Sequence, residues 1–160
     1  MKPVLLATDG SPTAEKATDT AIELAKVLDT ELIVVSVWNI PYPTVGFAPA
    51  PMHAEVFAPL EEDARKISVA AAARAEEAGV ETRTVVLRGF PSEEICIATD
   101  TYHPQLVVIG SHGWGALKRA VFGSVSTAVL HHAKCPVLVV PGAAVNAEAS
   151  ANGTPDRARV

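Results

Sequence analysis

The chain has 160 residues, 49% of them hydrophobic, 19% charged and 5% aromatic, with a formal net charge of −5. This length and balance describe one compact domain and exclude a disordered chain. The negative charge argues against a general nucleic-acid or anionic-membrane binder, because both rely on a basic footprint.

Val4 to Ala7 is a short apolar run stopped by Thr8-Asp9-Gly10-Ser11, which reads as a first strand and its turn. Ser11-Pro12 supplies an N-cap and a proline at the first helical position. Ala14, Ala17, Ala21, Ala25 and Leu28 then recur at helical spacing, joined by Ile22 and Leu24. Leu32 to Trp38 is almost continuously apolar, as expected of a parallel strand buried on both faces. Residues 39–60 hold Pro41, Pro43, Pro49, Pro51, Pro59 and Gly46 without a period. A long loop of that kind is either functional or a flexible insertion, and the sequence leaves both open.

Glu61 to Ala78 is rich in helix formers, pairs Glu61 with Arg65 and Glu62 with Lys66 at i,i+4, and is stopped by Gly79. Val80 to Leu87 reads as the third strand, Pro91-Ser92-Glu93-Glu94-Ile95 opens a short helix, and Leu106 to Ile109 reads as the fourth strand. Ser124 to His132 forms the core of the last helix, and Val137 to Val140 the fifth strand, ended by Pro141-Gly142. Residues 143–160 lack a period and read as a disordered tail, leaving 1–142 as the domain. Strands alternating with helices imply an α/β fold, an open five-stranded parallel sheet with helices on both faces. Ligands of such sheets bind beyond the carboxyl ends of the strands, where strand order reverses. That rule brings Asp9-Gly10-Ser11 beside the turn that follows the fourth strand.

The turn is Gly110-Ser111-His112-Gly113, followed by Gly123-Ser124 after a nine-residue spacer. Small residues around a helix N-terminus expose N–H groups that favour an anion, most often a phosphate. The pattern G-x2-G-x9-G-S therefore reads as a nucleotide-phosphate loop. Asp9 suits a nucleotide contact or a turn cap, and Ser124 and Ser126 suit helix capping and phosphate contact alike. Lys118 and Arg119 in the spacer are solvated charges or phosphate partners. His112 has no carboxylate or Cys at ligand spacing, and His131 and His132 face different directions. No metal site made by protein side chains is expected. Cys96 and Cys135 sit among apolar residues, in no C-x-x-C pair, and read as buried free thiols. The first apolar run is too short for a signal peptide and no stretch reaches membrane-spanning length, so the expected location is the cytoplasm.

These residues closely resemble the universal stress protein family over about residues 3–141. The resemblance rests on the strand running into Thr8-Asp9-Gly10-Ser11, the turn-helix Gly89-Phe90-Pro91-Ser92-Glu93-Glu94-Ile95, and Val107 to Val140 with its glycine pattern. It implies a Rossmann-like sandwich, akin to the adenine-nucleotide α-hydrolase fold, with ATP in the switch-point cleft. It further implies that Ala7 and Asp9 lie against the nucleoside and that Val37 presents backbone to the adenine. Gly110, Gly113, Gly123 and Ser124 would hold ribose and phosphates, with Val125 and Ser126 continuing the helix N-terminus. Mg2+ or Mn2+ would be held through the phosphates. The family commonly dimerises through its last strand, here Val137, Leu138, Val139 and Val140. Trp114 is a departure, standing where many members carry Arg or another polar residue.

The function so implied is an ATP-binding, stress-responsive sensor or switch. Strong catalysis is not expected. The chain has no G-x4-G-K-[ST] loop, no S-G-G-x-D-S pattern, and no second carboxylate identifiable as a partner for Asp9. A slow ATPase, a cyclic-AMP binder and a nucleotide-free interaction module are the alternatives.

Overall fold

Parallel strands and covering helices alternate along the chain in a computed structural model, which describes residues 1–39, 57–113 and 122–142. The strands are β1 (Val4–Ala7), β2 (Leu32–Trp38), β3 (Thr82–Arg88), β4 (Leu106–Gly110) and β5 (Val137–Val140). The helices are α1 (Pro12–Val27), α2 (Ala58–Glu77), α3 (Pro91–Tyr102) and α4 (Ser124–His132). Spatial order in the single five-stranded sheet is β3-β2-β1-β4-β5. The chain steps outward from β1 to β3, then crosses back to place β4 on the other side of β1. Ala7 pairs with Ile109 in register, so the two carboxyl ends on either side of the reversal open into the same crevice.

Successive strand residues point to opposite faces, which gives the domain two cores. Val4, Leu6, Leu32, Val34 and Val108 pack under Ala17, Ala21, Ile22 and Ala25 of α1 and Ala71, Ala72 and Ala75 of α2. Leu5, Ala7, Ile33, Val35, Val107 and Ile109 pack under Ile95 and Ala98 of α3 and Val129 of α4. The alanine stripes let the helix backbones approach the sheet closely. Leu5, Leu6, Leu32 and Ile33 are fully buried, and burial of each is worth roughly 1.5–3 kcal/mol.

Most boundaries agree with the sequence pattern, and three depart from it for identifiable reasons. Helix α2 begins at Ala58, three residues before Glu61, because Pro59 falls in its first turn, where a missing N–H breaks no helical bond. Strand β3 starts at Thr82 rather than Val80, because the Val80 N–H closes the end of α2 on the Ala75 carbonyl at 2.9 Å. Helix α3 is not short: it runs to Tyr102, buries Ile95, Ala98 and Thr99, and ends where His103 turns left-handed at φ 46°. Residues 40–56 of the proline-rich segment, Trp114, Lys118 and Arg119, and the 143–160 tail lie outside the described residues.

Two side-chain clusters tie elements together. Arg74 of α2 bridges Glu15 and Asp19 of α1. At the top of the sheet, the Arg88 guanidinium lies 5.4 Å from the Trp38 ring and 5.7 Å from the Phe57 ring, and the two rings are 6.3 Å apart. That cluster joins the residue ending β2 to the residue preceding α2.

Both cysteines are free, as expected, but both are half-buried rather than buried. Partial burial, then the nearby Asp100 carboxylate, pushes the Cys96 thiol above its ordinary 9.0. Burial, then Cys96 and Asp100, does the same to Cys135. The thiolate is the nucleophile, so alkylation by iodoacetamide at neutral pH is expected to run slower in the folded chain than in the urea-unfolded one. Equal rates would contradict the shift. The folded chain holds these protons more tightly than the unfolded chain, so their contribution to stability is complete below pH 9.0 and is lost as pH rises above it.

Candidate functional site

A cleft lies at the strand-order reversal, where open parallel sheets bind their ligands. Its walls are Ala7, Val35, Val37 and Ile109 from the strands, Pro91 and Ile95 from α3, and Val125 from α4. Thr8, Asp9, His112 and Gly113 form its polar end. The alternation that builds the second core also builds this slot, because Ala7, Val35, Val37 and Ile109 continue the α3/α4 face beyond the sheet's packed part. The arrangement suits a flat apolar ring inside, with polar groups toward the mouth.

Asp9 is exposed at the end of β1, and its Oδ1 accepts from the Ser11 N–H at 3.0 Å. That bond fixes the turn and aims the rest of the carboxylate at the β4 loop. A Cβ added to Gly113 would lie 2.5 Å from Asp9 Oδ2, so a larger residue there would have to displace the Asp9 carboxylate. An ionised carboxylate accepts hydrogen bonds only, which suits sugar hydroxyls and opposes a phosphate at this point.

Two helix N-termini face the reversal, and the protein itself occupies one of them. At α1, the Ser11 Oγ accepts from the Ala14 N–H at 3.3 Å, and both Ser11 and Thr13 hydroxyls donate to the His112 carbonyl. At α4 the N-cap is Gly123, which has no side chain to cap the helix, and the first helical bond is Thr127 N–H to the Gly123 carbonyl. The amides of Ser124, Val125 and Ser126 therefore precede the helical ladder, where an anion is favoured.

The sequence-predicted residues divide into three groups. Ala7, Asp9, Val37, Gly113 and Val125 line the cleft. Gly123, Ser124 and Ser126 form the α4 mouth beside it. Ser126 is buried, and its hydroxyl donates to the Ser111 carbonyl at 2.9 Å and to the Gly123 carbonyl at 3.1 Å, so this side chain clasps the loop. Gly110 stands apart. A Cβ there would lie 2.9 Å from the Thr13 carbonyl carbon and 3.0 Å from the Ala14 nitrogen, so its small size serves the seat of α1 on β4. The α3 wall, Pro91 and Ile95, was missed, although Pro91 through Ile95 carried part of the resemblance. His112, which lies between the two glycines of the β4 loop, also lines the cleft. Among the described residues, no group of three or more His, Cys, Asp or Glu side chains could hold a metal ion. No helix among them is long and apolar enough to cross a membrane.

The sequence profile described as the universal stress protein family matches residues 1–141. Universal stress protein MJ0531 of Methanocaldococcus jannaschii is 35% identical over 140 residues, covering 87% of this chain and 81% of that protein. Among solved structures, hypothetical protein MJ0577 superposes with a TM-score of 0.74 at 26% identity, over 88% of this chain and 95% of that one. A universal stress protein solved in complex with cAMP superposes with a TM-score of 0.61 at 26% identity, over 87% of this chain and 96% of that one.

Proposed function

The chain belongs to the universal stress protein family, and from that premise we propose that it is an adenine-nucleotide-binding regulatory protein with ATP as its ligand. The observation that carries this reading is the pairing of an apolar slot with the Asp9 carboxylate and the uncapped α4 mouth. Adenine fills the slot between Val37, Ile95, Ile109 and Val125, with Ala7 at its floor. Asp9 accepts from the ribose hydroxyls. The phosphates pass Gly113 to the amides of Ser124, Val125 and Ser126 at the Gly123 N-cap, where the helix dipole favours negative charge. A divalent ion, Mg2+ or Mn2+, is held through the phosphates. Strong catalysis is not part of this reading: occupancy itself is the signal, and the protein acts as a sensor or switch. A cytoplasmic location accords with its two free thiols.

Titration of nucleotide-stripped protein with Mg·ATP by calorimetry tests the reading. Saturable micromolar binding at about one ATP per chain is expected. A second reading, cyclic AMP as ligand, is favoured by the related protein solved with that nucleotide. Heat on adding cyclic AMP but none on adding ATP would select it.

The same reading includes a homodimer through β5. At one sheet edge β3 carries Arg83 and Arg88, whereas at the other β5 is Val137, Leu138, Val139 and Val140 throughout, with Leu138 39% exposed. Charge protects an edge from pairing, and an apolar edge invites it. Leu138→Lys is expected to convert a dimer to a monomer in sedimentation equilibrium. An unchanged mass would remove β5 from the interface.

A further inference from the structure

We propose that His112 is a hydrogen-bond donor to the nucleotide phosphate nearest the sugar, and that Ser111 is the positioning residue that makes it one. The proposal rests on the nucleotide reading and deepens it. Ser111 is 2% exposed, so its hydroxyl has no water to turn to. Its Oγ accepts from the Gly142 N–H at 3.2 Å and lies 2.9 Å from His112 Nδ1. A serine hydroxyl has one proton. Among the described residues Nδ1 is the one acceptor within reach of that buried hydroxyl, so the proton is directed to Nδ1. In the neutral imidazole, Nδ1 is then the acceptor and the proton sits on Nε2 of a residue that lines the cleft.

The backbone around Ser111 holds this arrangement rigidly. Its N–H donates to the Val140 carbonyl at 2.8 Å, and its carbonyl accepts from the Gly123 N–H at 2.6 Å and from Ser126 Oγ at 2.9 Å. Ser111 thus joins the ends of β4 and β5 to the start of α4. His112 directly precedes Gly113, the residue that meets the Asp9 carboxylate, and its Cα would lie 3.6 Å from a Cβ added to Gly123. A donor at that place meets the first anionic oxygen after the ribose. AMP, ATP and cyclic AMP all present such an oxygen, whereas adenosine has none.

Two measurements test the proposal. Long-range 15N–1H correlation of the imidazoles is expected to give an Nε2–H tautomer for His112 in the nucleotide-free protein. Ser111→Ala should abolish that fixed pattern, and Ser111→Thr should keep it. An Nδ1–H tautomer, or a pattern indifferent to Ser111→Ala in a folded variant, overturns the role of Ser111. In calorimetry, His112→Phe is expected to weaken AMP by about tenfold or more, since bonds to charged groups are the stronger ones. It should leave adenosine unchanged, and His112→Gln, which restores an N–H, should recover most of the loss. Equal weakening of AMP and adenosine, or none of either, overturns the donor role. If wild-type protein binds none of ATP, cyclic AMP, AMP and adenosine, the nucleotide reading and the donor role both fall, and the tautomer result still decides the Ser111 half.

Discussion

Gly110→Ala is expected to lower the stability of the folded chain by about 1–3 kcal/mol, although it adds a single methyl group. The new Cβ would meet the Thr13 carbonyl carbon at 2.9 Å, the Ala14 nitrogen at 3.0 Å and the Thr13 oxygen at 3.1 Å. All three are backbone atoms of the first turn of α1, so no flexible side chain is there to yield. Relief requires α1 to lift from β4. Thr13 and Ser11 hold the His112 carbonyl from that same turn, so lifting it would also loosen the β4 loop. Urea unfolding measures the loss directly, with a lower midpoint and an unchanged slope. A variant within 0.5 kcal/mol of wild type, a change no larger than an ordinary surface substitution makes, would show that the seat of α1 is softer than its geometry indicates.

The largest expected effect on binding belongs to Asp9→Asn. The amide oxygen can still accept from the Ser11 N–H, so the turn after β1 survives. What disappears is the charged acceptor beside Gly113. A hydrogen bond to a charged group contributes roughly 1.5–3 kcal/mol, which corresponds to about a 10- to 100-fold loss of affinity. Because the contact is to sugar hydroxyls, adenosine and AMP should weaken by the same factor, in contrast to the split expected at His112. Undiminished adenosine binding by a folded Asp9→Asn protein would remove Asp9 from the nucleoside site.

The parallel five-stranded sheet and the meeting of the end of β1 with the β4 loop were legible in the sequence because they follow from the alternation of strands and helices and from the reversal rule. The bounds of β1, β2 and β5 could be read directly, since each is an apolar run closed by a turn residue. The ends of α2 and β3 were less legible. Pro59 reads as loop unless a helix is already known to begin there, and Val80 is apolar like the strand it precedes while its N–H belongs to the helix behind it. At the site, the glycine spacing located the anion end but could not divide the labour among the glycines. Gly110 accommodates backbone from α1, Gly113 accommodates the Asp9 carboxylate, and Gly123 opens α4. Those neighbours are distant in sequence, and spacing alone carries no trace of them. The same holds for Ser126, whose hydroxyl is engaged by the Ser111 carbonyl fifteen positions away.

The stack of Arg88 with Trp38 and Phe57 has a consequence for how this domain tolerates change. It fastens the two points from which residues 40–56 depart and return, so the ends of that segment meet whatever lies between them. Losing the stack, as in Arg88→Ala, is therefore felt where β2 hands over to α2 rather than in either buried core.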